Sequence, residues 1–459
     1  MNDLGNADIL KLLENKDLRI FFSGIGGVSM SSIAMVLHHR GYKIGGSDTA
    51  DNATVKNLKN LGIEIFSSHS SDNLKDYDLL VYTSRIKADN PEMIYAEANN
   101  IPAIKRSKML GVLIAAYKTS IGISGTHGKS TASSMVSAIF IEADKDPAFF
   151  IGAIYPPTGS TYQIGGESAD YCIVESDEYT DSFLDFYPDI SVILNIEMDH
   201  PDYFGDISDV KDSFRAYLKN TKQTAIVNAD DINALEVSKS FAKEIITYGI
   251  KNQNCDMYAK NIIYNAGYAE FDIYADNKYY ASIKLSVPGE FNIYNSMAAA
   301  ACAYICGIDG EAVAKALNGF KGAGRRFELK GTINNANVYE DYAHHPTAIK
   351  KTLTIMKNFN CNKIWCVIQP HTYSRTHELL GDLIESLSYA DNIILKEIYS
   401  AFEVNIYNIS SKDIAQKIDN AIFIDDFNEI AEHLKNNVRE DDIVVVMGAG
   451  DINKLFEYI

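Results

Sequence analysis

Residues 121–131, Ile-Gly-Ile-Ser-Gly-Thr-His-Gly-Lys-Ser-Thr, constrain this chain more than any other stretch. A short β-branched run ends in a glycine turn, and Lys129-Ser130-Thr131 then opens an apolar helical pattern through Met135, Val136, Ala138 and Ile139. A strand that turns at glycine into a helix start aims several backbone N–H groups at one point, where an anion is held. Gly125, Thr126, His127 and Gly128 form that turn. Lys129 supplies a point charge to β/γ-phosphates, and Ser130 a hydroxyl for Mg²⁺ (or Mn²⁺). Ile123 stands where the full Walker pattern has its first glycine, so the cradle is the shorter Gly-x-x-Gly-Lys-Ser. The flanking strand and helix patterns favour nucleotide phosphate binding over a purely structural turn.

The rest of the chain sets limits. At 459 residues it exceeds one ordinary core, and roughly two to three domains are expected. A formal charge of -19 argues against a nucleic-acid or anionic-membrane partner, though a local basic pocket for a phosphorylated ligand remains open. No apolar run reaches membrane-spanning length, and residues 1–16 are polar without a signal-peptide core. The 6 cysteines are scattered with no C-x-x-C spacing, which fits a reducing cytoplasm.

Three α/β segments follow in series, at 1–107, 108–323 and 324–459. The first runs strand, glycine turn, helix through Gly24, Gly26, Gly27 and Val28, with Asp48 closing a second strand. Ser29 takes the place of the third fingerprint glycine, so a dinucleotide and a nucleotide-diphosphate sugar both remain open for this helix start. In the second segment, residues 171–174 and 190–194 read as buried parallel strands, and 262–287 as an antiparallel region near the sheet edge. The third has strands at 338–340, 364–368, 392–395 and 443–446, the last running into the glycine turn 447–451. The fold class is α/β: a Rossmann-like nucleotide domain, a central P-loop ATPase-type domain with a mostly parallel sheet, and a Rossmann-like C-terminal domain.

Polar clusters after the strands are the candidates for chemistry, because strand tips of one parallel sheet share a crevice. Glu175 follows the strand 171–174, while Asp177 and Glu178 read as a solvated acidic turn. His200 closes the block Asn195-Ile196-Glu197-Met198-Asp199-His200. Tyr342, His344 and His345 lie before Pro346 in a βα loop, and His371 and Arg375 follow the strand 364–368, offering cationic recognition of carboxylate or phosphate. Adjacent histidines also suggest zinc, but no Cys or third His sits at ligand spacing.

Taken together these blocks resemble the ATP-dependent Mur ligases along nearly the whole length, in the family's order. Gly24 to Met30 with Gly46-Ser47-Asp48 resembles the family's uridine-nucleotide domain, Gly125 to Ser130 its ATP loop, and Glu175 and His200 its metal positions. Asn292 and Asn295 match its adenine-side motif, Arg325-Arg326 its junction with the third domain, and 341–346 and 369–376 its amino-acid-binding and substrate-clamping loops. The resemblance implies three domains and a cytoplasmic ligase, monomer or weak homodimer, acting on small molecules: UDP-N-acetylmuramate, L-alanine and ATP, with Mg²⁺. It implies phosphoryl transfer served by Lys129 and by a metal on Ser130, Glu175 and His200. Arg326 and Arg375 would hold a carboxylate and transferred charge, Tyr342 would belong to the nucleotide side, and His344 would orient or deprotonate the incoming amine. Phe214 stands where relatives that add later amino acids have a carbamylated lysine, which agrees with an alanine-adding branch; Thr372 stands where some have a second arginine, and Tyr179-Thr180 depart from the usual Ser-Asp. Three rivals remain: a recycling ligase that attaches a whole peptide to the same sugar nucleotide; a nicotinamide-dependent oxidoreductase, which leaves the ATP loop unexplained; and a non-catalytic nucleotide-sensing module, against which the retained Lys129, Glu175, His200 and His344 argue.

Overall fold

The computed structural model describes residues 4–166, 169–401 and 403–459; residues 1–3, which open the polar stretch 1–16, lie outside them. Among the described residues, three sheets follow one another along the chain. The first holds β1 (Arg19–Ser23), β2 (Lys43–Ser47), β3 (Glu64–Phe66), β4 (Leu79–Tyr82) and β5 (Ala103–Lys105), all parallel, in the order β3-β2-β1-β4-β5. Strand order reverses between β1 and β4, which leaves the crevice for a ligand beside the glycine turn after β1.

The central sheet comprises β6 (Thr119–Ser124), β7 (Ala148–Tyr155), β8 (Ser160–Gln163), β9 (Tyr171–Glu175), β10 (Ile190–Ile193), β11 (Thr224–Asn228), β12 (Glu244–Gly249), β13 (Met257–Asn265), β14 (Tyr268–Ala275) and β15 (Lys278–Lys284). Its order is β15-β14-β13-β12-β11-β10-β6-β9-β7-β8. The strands from β12 through β9 pair in parallel, and the tyrosine-rich β13, β14 and β15 form the antiparallel edge expected from their alternating pattern. β10 is buried throughout, because helices cover both faces of the sheet. Register sets Ile193 opposite Ser124 and Ile123 opposite Glu175, so the carboxyl tips of β10, β6 and β9 end level.

The third sheet, β16 (Glu328–Ile333), β17 (Ala336–Asp341), β18 (Ile364–Ile368), β19 (Asn392–Leu395), β20 (Ala421–Phe423) and β21 (Ile443–Met447), runs β16-β17-β21-β18-β19-β20 and is parallel apart from β16. The helix Arg106–Ile114 joins the first two domains, and one apolar core runs from Ile20 and Phe22 through Leu110 and Leu113 to Phe183, Phe214 and Tyr217. A Cβ on Gly111 would lie 2.2 Å from the Asp185 carbonyl oxygen, so only glycine lets this helix approach so closely. Phe214 packs edge-on against Phe183 in that core and does no polar work. Among the described residues, no helix is long and apolar enough to cross a membrane.

Candidate active site

A cleft of about 1890 Å³ opens where the tips of β6, β9 and β10 face the third domain. Its floor is the turn after β6. Gly125 (φ 138°) and Gly128 (φ 88°) take backbone conformations that L side chains rarely adopt, and Gly128 caps the helix Lys129–Glu142. A Cβ on Gly128 would stand 2.5 Å from Asn295 Oδ1, so the turn is packed directly on the helix Glu290–Ile305. Asn295 donates to Asn292 Oδ1 (3.1 Å), which fixes both buried amides beneath the turn. Asn195, just past β10, grips the turn from the other side: its Oδ1 accepts from His127 N (2.8 Å) and its Nδ2 donates to His127 O (2.9 Å).

Lys129 Nζ donates to Glu178 Oε2 at 2.7 Å and lies 3.6 Å from Asp177 Oδ1. Burial works against the ammonium charge, but those carboxylates outweigh it and raise the lysine above its ordinary value. Glu178 is itself buried and is pushed up to about 7, burial raising it against the pull of Lys129. The expected solvated acidic turn is therefore corrected for Glu178. The chain after β9 bends back under the glycine turn, a long-range path that residue types alone do not reveal. Asp177 remains half exposed.

Ser130 Oγ donates to Glu175 Oε1 (3.1 Å), and Glu175 Oε2 accepts from Gly152 N (2.6 Å). His200 stacks on Tyr179, with ring centroids 4.4 Å apart, and one of its nitrogens lies within 4.8 Å of oxygens of both Asp177 and Glu178. Glu178 Oε1 is buried with no hydrogen-bond partner. His200 thus groups with Asp177 and Glu178 rather than with the expected Ser130 and Glu175, and each set, the one with its orphaned oxygen and the other with its hydroxyl and carboxylate, suits a hard divalent cation.

From the third domain, Arg326 lies 4.4 Å from the Tyr342 ring centroid and donates from Nη2 to Ser130 Oγ (3.2 Å), while Arg325 flanks the same ring at 5.0 Å. His344 donates from Nδ1 to the Tyr342 carbonyl (2.9 Å), which leaves the Nε2 lone pair available. Burial, then the charge of Arg375, hold this imidazole well below its ordinary value, so it is neutral at about pH 7. Arg375 differs from expectation. Its Nε and Nη2 both donate to Asp199 Oδ1 (3.0 and 2.9 Å) and its Nη1 to the His371 carbonyl (3.1 Å), so the guanidinium is a clasp between domains rather than a free anion receptor. Asp199 is held far below the usual carboxylate range: burial opposes its charge, and Arg375 more than compensates.

Lys129, Ser130, Glu175, His200, Asn292, Asn295, Arg326, Tyr342, His344, His371 and Arg375 all line this one cleft, as do Thr126, His127, Gly128 and Thr131. Gly24, Gly26, Gly27, Val28 and Asp48 do not; the first domain sends Ser84 and Arg85 into it instead. Both Asp48 oxygens accept backbone N–H groups, from Gly26 (2.8 Å) and Ala50 (2.9 Å), which makes Asp48 a brace of the first glycine turn. Glu178, Asn195, Glu197 and Asp199 were not singled out from sequence. Three of them sit in the same post-β10 block as His200, and that block position was the available signal.

Family models for the Mur ligase family catalytic domain, the Mur ligase middle domain and the Mur ligase glutamate ligase domain match residues 19–118, 123–303 and 325–450. The UDP-N-acetylmuramate–L-alanine ligase of Caldicellulosiruptor saccharolyticus is 41% identical over 448 residues, covering 96% of this chain and 98% of the relative. Its namesake in Acetivibrio thermocellus is 41% identical over 450 residues, with 96% of each chain covered. Among solved structures, the UDP-N-acetylmuramate-alanine ligase of Thermotoga maritima superposes with a TM-score of 0.80 at 27% identity, covering 96% of this chain and 97% of the other. A murein peptide ligase from Psychrobacter arcticus, at 22% identity and a TM-score of 0.74 over 96% of this chain and 97% of that one, shares the fold.

Proposed function

The chain belongs to the Mur ligase family, and from that premise we propose that it joins L-alanine to the lactyl carboxylate of UDP-N-acetylmuramate in peptidoglycan precursor synthesis, cleaving ATP to ADP and phosphate through an acyl phosphate. The observation that carries this reading is the convergence of Lys129, the Ser130–Glu175 pair and the third-domain groups Arg326 and His344 on one cleft. Phosphoryl transfer needs chiefly alignment and charge neutralisation, and such a cleft supplies both.

In this reading the N–H groups of the turn 125–130 hold the nucleotide phosphates, with Asn292 and Asn295 supporting the turn from below. Lys129 moves from Glu178 to the β/γ-phosphates, trading one anionic partner for another. A divalent cation held by Ser130 and Glu175, with His200 nearby, would neutralise phosphate charge. The lactyl carboxylate attacks the γ-phosphorus and ADP leaves; the alanine amine, once its ammonium has lost a proton, attacks the acyl phosphate carbon, and inorganic phosphate leaves from the tetrahedral intermediate as the amide forms. Arg326, whose guanidinium already reaches Ser130 Oγ, steadies the negative charge that passes between these centres. His344 Nε2 accepts an N–H of the amine and directs its lone pair toward the carbonyl. Arg375 locks the third domain on Asp199 and positions His371. The glycine turn after β1 holds the uridine diphosphate, with Asp48 keeping its shape.

The test is phosphate release with ATP, Mg²⁺ and UDP-N-acetylmuramate, screened across amino acids. Release that depends on L-alanine supports the proposal. Preference for a tripeptide acceptor would move the assignment to a recycling ligase, and no acceptor-dependent release at all would overturn it.

A further inference from the structure

Glu197 lies beside the glycine turn, outside the set of residues given a role above. Its carboxylate Oε2 accepts from His127 Nε2 at 3.0 Å, so it is tied to the middle of the nucleotide loop. Its backbone N–H donates to Thr126 Oγ1 (2.9 Å), which ties the loop a second time. From the opposite side the third domain presents the first turn of the helix Pro346–Lys357, where the Thr347 side chain and the charge of Lys351 both favour the ionised Glu197 carboxylate.

His345 completes this group. Its ring caps that helix, Nδ1 accepting the Thr347 N–H at 3.3 Å. A neutral imidazole whose Nδ1 accepts carries its proton on Nε2. His345 is 7% exposed, its Nε2 is buried without a partner, and one of its ring nitrogens lies within 4.8 Å of the facing atoms of His127 and Glu197. A buried donor left unmatched is costly unless something completes it. Two imidazoles and a carboxylate also resemble a transition-metal triad, but a ligating Nε2 must offer a lone pair, and here that atom bears the proton.

We propose that Glu197 is a positioning residue that couples docking of the third domain to the shape of the nucleotide loop: it accepts from His127 on the loop, and the unpartnered His345 donor on the third domain turns to it when that domain closes on nucleotide. Asn195 holds the loop backbone by itself, so the ground-state cradle survives without Glu197. What is lost is the link to the domain that carries Arg326 and His344. The inference rests on the ligase reading for its kinetic consequence, though not for its structural one.

The experiment compares the full-length protein with Glu197→Gln, His345→Asn and the double variant. Asparagine keeps the helix cap but lacks the distal donor. Expected is a kcat lower by about 10- to 100-fold in each single variant, the loss of one charge-assisted hydrogen bond, with the Kd of a fluorescent ATP analogue changed by less than about 3-fold. The double variant should cost no more than the worse single one, since both cut the same link. ATP should also protect the junction around Ala323 and Gly324 from protease in the parent and not in Glu197→Gln. Multiplying losses in the double variant, a Kd that rises by as large a factor as kcat falls, or equal protease protection would overturn the proposal. A parent without alanine-dependent phosphate release would overturn the ligase reading instead, and the protease comparison would then decide the coupling.

Discussion

Replacing Lys129 by methionine separates two roles of one ammonium group. For catalysis, a unit charge about 4 Å from a phosphoryl oxygen at an effective dielectric of about 20 interacts by about 4 kcal/mol, or roughly 1000-fold in rate. Because Glu178 and Asp177 raise the lysine above its ordinary value, no loss of this charge shapes the parent's rate between about pH 6 and 9. Stability follows a different path. Glu178 sits at about 7 in the fold against an ordinary 4.5. An acid whose folded value is raised takes up its proton more readily when folded, so stability is highest at low pH and falls as pH rises from about 4.5 toward the folded value. Without Lys129 that folded value climbs further, and the fall continues to higher pH. At about pH 8 the extra loss is capped by simple protonation, roughly one decade beyond 7, or on the order of 1 kcal/mol. Near pH 6 the extra loss is about zero, because Glu178 is already protonated there in both proteins. Melting temperature read by calorimetry should therefore drop about 2–4 °C at about pH 8 and hardly at all near pH 6. Adding Glu178→Gln should repair the alkaline loss and leave phosphate release about 1000-fold down. Phosphate release above about a tenth of the parent's, or an equal melting drop at both pH values, would refute the reasoning.

Other expected outcomes follow from the same geometry. Asp199→Asn leaves the Arg375 guanidinium buried without its anion, which should weaken the domain clasp by about 3–5 kcal/mol; small-angle scattering should then report an opened particle, and an unchanged profile would count against the clasp. Gly128→Ala must hold φ 88° and place a Cβ 2.5 Å from Asn295 Oδ1, so nucleotide affinity should fall at least about 10-fold in a binding titration. His344→Ala should lower kcat about 100-fold with little change in the KM for ATP. Because burial and Arg375 keep that imidazole neutral, the parent's pH–rate profile should show no inflection near 6.5 that the variant removes.

Much of the site was legible because it sits at strand ends, and strand ends announce themselves as apolar runs that break into polar residues. Lys129, Ser130, Glu175 and His200 were singled out in this way and line one cleft, since short parallel strands of one sheet deliver their tips to one edge. Two readings went astray for a common reason. Glu178 looks solvated in Glu175-Ser176-Asp177-Glu178, and Arg375 looks free in His371-Thr372-Tyr373-Ser374-Arg375. Each is neutralised by a partner far away in the chain, Lys129 for one and Asp199 for the other, and nothing local marks either pairing.

Local sequence determined the order of strands and helices, the glycine turns and which of them is the candidate phosphate cradle, because periodicity and left-handed glycine positions act over a few residues. Tertiary structure alone decided which charges are spent on one another. Burial removes the water that would otherwise screen them, so a distant residue brought within 3 Å outweighs every neighbour in sequence; that is how Arg375 became a clasp on Asp199 and Glu178 the partner of Lys129.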